Sequence, residues 1–180
     1  MQPHQTALRR WAGDEYGSIT VEFVIWMPLL AFWFVVSVAF FDAYKSRSDA
    51  SKTAHTITDL ISRQVDVDEA FLDELFALKG KLLPRVPANA LMRISSIQYD
   101  INNDEYQVVW SSVRGSALPL TDIEVPIALL PQMAHLDSVI LTELSVPYQP
   151  FTSWAGIDVT DWDFAIVSRP RFVTAIVKTD

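Results

Sequence analysis

Side chains able to do chemistry are few in this chain, and most are too scattered to cooperate. The three histidines, His4, His55 and His135, form no His-Glu-x-x-His pair and no other metal-ligand spacing. Cysteine is absent, which removes thiolate zinc sites, iron–sulfur clusters, a disulfide framework and a Cys nucleophile together. His55 and Asp59 stand at i and i+4 on a helical pattern, the spacing of a surface contact rather than half of a catalytic triad. The acidic group Asp66, Asp68, Glu69, Asp73 and Glu74 has the composition of a calcium loop. Phe71, however, stands at the sixth position, where such a loop requires glycine. Favourable charge at a helix N-terminus is the better reading. Glycine-rich phosphate loops and a nucleophile elbow are missing. The chain is therefore expected to bind no metal or cofactor and to act by contact rather than by turnover.

One carboxylate stands apart. Glu22 lies just inside an uncharged run, FVIWMPLLAFWFVVSVAFF at residues 23–41. An ionised carboxylate there costs up to about 2.5–3.5 kcal/mol on membrane-insertion scales, so it calls for a cationic partner or a shallow depth. Ser18 stands one helical turn earlier on the same face. Pro28 lacks an N–H, leaves the carbonyl of Val24 without its helical partner, and predicts a loosened or kinked helix. Two pairs near the C-terminus carry weaker signals. Arg169 and Arg171 flank Pro170 and read as solvated residues of an edge strand or as a basic contact for a partner. Trp154 and Trp162 are placed in a loop with Gly156, covering the open end of a sheet or touching another subunit.

The elements that must position these residues follow from patterning. Half of the 180 residues are apolar and 20% are charged, but the apolar ones are concentrated near the N-terminus. With residues 19–21 in front, the uncharged run reaches the roughly 20 residues needed to cross a bilayer, and its aromatics suit lipid contact. A soluble helix apolar on every side would need a larger core than the remaining chain could supply. The organisation expected is a cytoplasmic leader at 1–17, a transmembrane helix at 18–41, an amphipathic helical extension at 42–64 and an exported α+β domain at 65–180. Flanking charge is nearly balanced, Arg9 and Arg10 against Lys45, Arg47 and Lys52; the short N-terminal tail and the large C-terminal part favour an N-in, C-out orientation.

In the extension, Ala50, Ala54, Ile57 and Ile61 form one apolar stripe at i, i+4, i+7 and i+11. A second helix is expected from Asp66 or Asp68 as cap, with Phe71, Leu72, Leu75, Phe76 and Leu78 inward, ending at Gly80. The pattern then changes to period two. Ile97, Tyr99 and Ile101, a turn at 102–104, and Tyr106, Val108 and Trp110 predict a β-hairpin. Further strands are expected at 138–146 and 164–177, the second interrupted by Pro170 and so at an edge. Prolines 119, 126, 131, 147 and 150 mark long loops. The sum is an α+β fold: a long N-terminal helix, a short helix and a small antiparallel sheet. A net charge of −8 with no basic face argues against nucleic acid.

Around Glu22 the sequence matches a known pattern. Gly17-Ser18-Ile19-Thr20-Val21-Glu22-Phe23 resembles the processing site of type IV prepilins, a glycine followed at the fifth position by glutamate and then an aromatic residue. Arg9-Arg10-Trp11, Asp14-Glu15-Tyr16, the Val21-Glu22-Phe23 core and Pro28-Leu29-Leu30 extend the match to the TadE/TadG-like proteins of Flp (type IVb) tight-adherence pili. The resemblance covers residues 9 to about 63. It implies a pilin-like fold, cleavage by a membrane prepilin peptidase between Gly17 and Ser18, and a mature protein that keeps its apolar helix. It also implies partners: sister pseudopilins, the Flp pilin and an inner-membrane assembly platform, with the domain in the periplasm. Cleavage would place an ammonium on Ser18, and that of a neighbouring subunit would pair with Glu22 and help to set register.

Two other organisations compete. Ser37-Val38-Ala39 satisfies the small-residue rule of signal peptidase, which would release a soluble domain starting at Phe40. A bitopic sensor or transport accessory would use the helix only as an anchor in membrane lipid.

Overall fold

The computed structural model describes residues 16–179, with 88 and 153 excepted and residues 16–19 as backbone only. Most of the expected leader, including Arg9, Arg10, Asp14 and Glu15, lies outside the described residues. Helix α1, Tyr16–Ser62, runs for 47 residues, about 70 Å at 1.5 Å per residue. No glycine stands between Gly17 and Gly80, and the helix continues through Pro28, its one internal proline. Polar side chains within it turn inward on the backbone: Ser37 Oγ donates to the carbonyl of Trp33 at 2.9 Å and Thr58 Oγ1 to that of Ala54 at 2.7 Å. Strand β1 (Asp66–Val67) leads into helix α2, Glu69–Leu82. Asp68 caps α2, accepting from the amide of Phe71 at 2.7 Å.

Strands β2 (Met92–Asp100), β3 (Glu105–Arg114), β4 (Ser138–Tyr148) and β5 (Thr160–Ser168) form an antiparallel sheet in the order β3-β2-β4-β5. A two-residue strand β6, Val177–Lys178, pairs in parallel with β1 and ties the C-terminus to the start of α2. The fold is α+β, with a long apolar N-terminal helix, a second helix and an antiparallel sheet.

Both faces of the sheet are covered. On one, the C-terminal half of α1 and the inner face of α2 pack Ala50, Ala54, Ile57, Ile61, Leu72 and Leu75 against Met92, Ile94, Ile140 and Leu144. On the other, the connection from β3 to β4 folds back through two 3-10 turns, Asp122–Glu124 and Ile127–Leu129, and closes a smaller core of Ile97, Leu120, Val125, Val139 and Leu141. Burial on both faces explains why β4 lacks the clean alternation of a half-solvated strand. On the second face, Arg93 and Glu143, directly paired across β2 and β4, join in a two-bond ion pair of 2.6 and 2.9 Å. That carboxylate raises the Arg93 pKa above its already high ordinary value.

Several expectations need correction. Helix α2 runs past Gly80 to Leu82, the amide of Leu83 still donating to the carbonyl of Lys79 at 2.9 Å, so glycine alone did not stop it. Its inner face also buries Lys79, 3% exposed, whose Nζ donates to the carbonyl of Ala90 at 2.5 Å; burial lowers its pKa. In β3 the register slips by one residue opposite Ser96 and Ile97, leaving Val109 as a bulge. Tyr106 and Val108 therefore face the smaller core while Trp110 joins the larger one, its Nε1 donating to the carbonyl of Ile176 at 2.8 Å. The expected strand at 164–177 is instead β5 at 160–168, ending before Pro170, with β6 beyond it; β5 does occupy a sheet edge. Pro147 lies inside β4 rather than in a loop, past the last residue paired with β2, where no neighbouring strand on that side needs its amide.

Candidate functional site

Helix α1 carries every residue of the candidate processing motif, 17–23. Gly17 and Ser18 fall in its first turn, which starts at Tyr16. Ser18 and Glu22 are one turn apart, an axial separation of about 6 Å, so a terminal ammonium at Ser18 would share a helix face with that carboxylate. Glu22 and Phe23 are exposed, as is every side chain from 20 to 34, Pro28 included. Thr20–Ser62 contains a window long and apolar enough to cross a membrane. Its bare part has none of the folded domain's core packed against it.

Burial against the domain begins at Val35–Ser37, which are half-buried, and becomes complete at Ala39. Ala39, Ala43, Ala50 and Ala54 are all buried and stand at i, i+4, i+11 and i+15. The small-residue stripe therefore reaches back two to three turns beyond the part legible in the sequence. Its first member lies inside the uncharged run, where neighbours on every side are apolar and no polar contrast reveals a period.

Where the bare and packed halves meet, polar groups converge on Asp42, the first charged residue after Glu22. Arg85 Nη1 donates to its Oδ1 at 3.1 Å and the Tyr148 hydroxyl to its Oδ2 at 3.2 Å. Burial first, and then the charge of Asp42, raise the pKa of the Tyr148 phenol. Beside these groups, Asp49, Leu83, Pro87 and Gln149 help to line a cavity of about 500 Å³. Arg47 sits over the ring of Trp162 at 5.6 Å, and Trp162 packs on Tyr148 at 5.8 Å. This is a belt of paired charges and amphipathic aromatics around one level of α1, built to seat the domain at that level. Among the described residues no group of three or more His, Cys, Asp or Glu is placed to hold a metal ion.

The remaining sequence candidates separate. Arg171 is a structural tie: its amide donates to the carbonyl of Ser62 at 2.8 Å, closing the end of α1, and its guanidinium pairs with Asp59. Arg63 shares Asp59 at 2.7 Å, so Asp59 serves two arginines where the sequence had paired it with His55. Arg169 donates to the carbonyl of Gln132 at 2.6 Å. Neither arginine is a free basic contact. Trp162 belongs to β5 and faces the larger core rather than a loop. Trp154 is in a loop and exposed, as expected, and its ring stacks on Phe32 of α1 at 5.2 Å. That contact joins positions more than a hundred residues apart, and no local pattern foreshadows it.

The chain matches no protein-family model, no curated protein and no solved structure.

Proposed function

We propose that the protein is a minor pilin or assembly protein of a Flp-type tight-adherence pilus, anchored by one helix in the bacterial inner membrane with its α+β domain in the periplasm. The observation that carries this reading is the division of α1. Its bare apolar half begins at the Gly17-to-Glu22 motif, and its other half is the spine of a small domain. A helix of that kind can leave the bilayer sideways and pack beside like helices without unfolding the domain it carries.

The chemistry needed is modest. A prepilin peptidase would cut after Gly17, and the ammonium on Ser18 would offset the cost of placing Glu22 among apolar groups, within one chain or between neighbours. Sister pseudopilins and the Flp pilin would meet the outward face of α1, and the sheet and its loops would offer the specific surface.

Coexpression with the cognate peptidase tests the reading. The mature N-terminus should be Ser18, and Gly17→Arg should leave the leader attached by putting a bulky cation where the peptidase accepts a small residue. An intact Met1 beside an active peptidase would leave a plain bitopic anchor, and a start at Phe40 would establish a signal peptide. With processing in hand, Glu22→Ala should insert normally but lose co-purifying pseudopilins and surface pili. Normal partner recovery and normal piliation would remove the pairing role of Glu22.

A further inference from the structure

The loop between β4 and β5 brings exposed aromatic side chains onto the bare part of α1. Residues 149–157, QPFTSWAGI, carry no charge. Phe151 and Trp154 are 58% and 56% exposed, and Gly156 at φ 77° supplies the left-handed turn that sends the chain back toward β5. Apolar side chains at the tip of an uncharged loop need an explanation other than the domain's own core.

Depth along α1 provides it. The polar belt is at Asp42, where Tyr148 is bonded. Trp154 stacks on Phe32, ten residues nearer the N-terminus and so about 15 Å further down the axis. Six residues separate Tyr148 from Trp154, a reach of up to about 20 Å, so the loop can descend that far. Hydrocarbon is about 30 Å thick. If the span starts near Thr20, Phe32 is only about 18 Å along it, still well inside. Raising α1 until Phe32 reached the boundary would carry Glu22 about 15 Å into the hydrocarbon, and the Ser18 ammonium of a cleaved chain about 21 Å. The charge pattern of the chain excludes that position.

We infer that loop 149–157 enters the bilayer leaflet on the domain's side, Phe151 and Trp154 lying among acyl chains against α1 and the Asp42–Arg85–Tyr148 belt lying at the headgroups. The occupant of this surface is lipid. The inference rests on the reading of α1 as a membrane span. Exposed Asp158, Asp161 and Asp163 follow the loop, so apolar burial rather than attraction to anionic headgroups holds it, and zwitterionic lipid suffices. The domain is thereby fixed in depth and rotation about α1 instead of swinging on a single helix.

Because the chain has no cysteine, single-cysteine variants of the full-length protein take a nitroxide label at one place only. Phe151→Cys and Trp154→Cys, reconstituted in phosphatidylcholine vesicles, are compared with Leu30→Cys in the bare helix and Ile123→Cys, 98% exposed on the opposite sheet face. Spin-label collision with oxygen and with a water-soluble nickel chelate reports depth. Labels at 151 and 154 should show an oxygen-to-nickel ratio several-fold above that at 123 and close to that at 30. Nickel access at 151 and 154 with position 30 still in lipid would overturn the inference alone, leaving the loop a water-facing surface suited to a protein partner. Nickel access at position 30 as well would overturn the membrane reading and the inference with it. Two loop positions guard against one variant failing to fold.

Discussion

The two halves of α1 are one helix in two settings, bare in one and packed on the sheet in the other. From 20 to 34 its side chains are exposed and, Thr20, Glu22 and Ala31 apart, large and apolar; from 39 to 61 its inward face is mostly alanine and isoleucine and covered. In the first half, a candidate membrane span, little but Trp154 packs on the apolar side chains, and lipid would impose no shape on them. In the second, each side chain meets strands β4 and β5 at fixed positions, and alanine lets the helix approach the sheet closely. Hydrophobicity therefore fits one half for a membrane and serves complementarity in the other.

Matched substitutions break the comparison most sharply. Ile57→Ala removes a fully buried side chain and should lower domain stability by about 2–5 kcal/mol. Leu30→Ala, the same loss of bulk on the bare half, should leave the denaturation midpoint of the domain in detergent unchanged. Equal effects would mean that both halves pack within the molecule. Adding bulk sharpens the contrast: Ala54→Leu should cost about 1–3 kcal/mol by forcing α1 off the sheet, whereas Ala31→Leu, exposed, should be neutral for the domain and equal or better for membrane insertion.

The boundary between the halves should respond least. Tyr148→Phe loses the hydrogen bond to Asp42 and should cost about 0.5–1.5 kcal/mol at neutral pH. The folded-state pKa of Tyr148 lies above the ordinary value of 10.0. Its contribution is therefore complete below that pH and lost as pH rises through the raised folded value. Denaturation of the wild-type protein should show this alkaline loss, and the Phe variant should show less of it. An identical alkaline slope in both would assign the loss to other groups.

Much of the fold was legible because its signals are local. The apolar run, the stripe Ala50-Ala54-Ile57-Ile61, the Asp68 cap and the turn between β2 and β3 each arise from residues a few positions apart, where helical and strand periods or capping chemistry act directly. The candidate processing motif is legible for the same reason, being seven adjacent residues. Other features depended on partners distant in sequence. The bulge at Val109 turns Trp110 to the opposite face from Val108, and what stabilises that turn is a carbonyl at Ile176. The connection from β3 to β4 reads as an irregular proline-rich loop, yet it covers one face of the sheet.

The sequence by itself determined which part of the chain is apolar enough for a bilayer and where its helical pattern gives way to that of strands. Those properties are sums over neighbouring residues, and the backbone's two periods expose them. Tertiary structure alone decided where along α1 the domain begins, that Arg169 and Arg171 close internal contacts, and that the loop carrying Trp154 comes to rest on Phe32. Each of these is a match in shape or charge between segments brought together only when the sheet forms, and residues that match across such distances carry no common period along the chain.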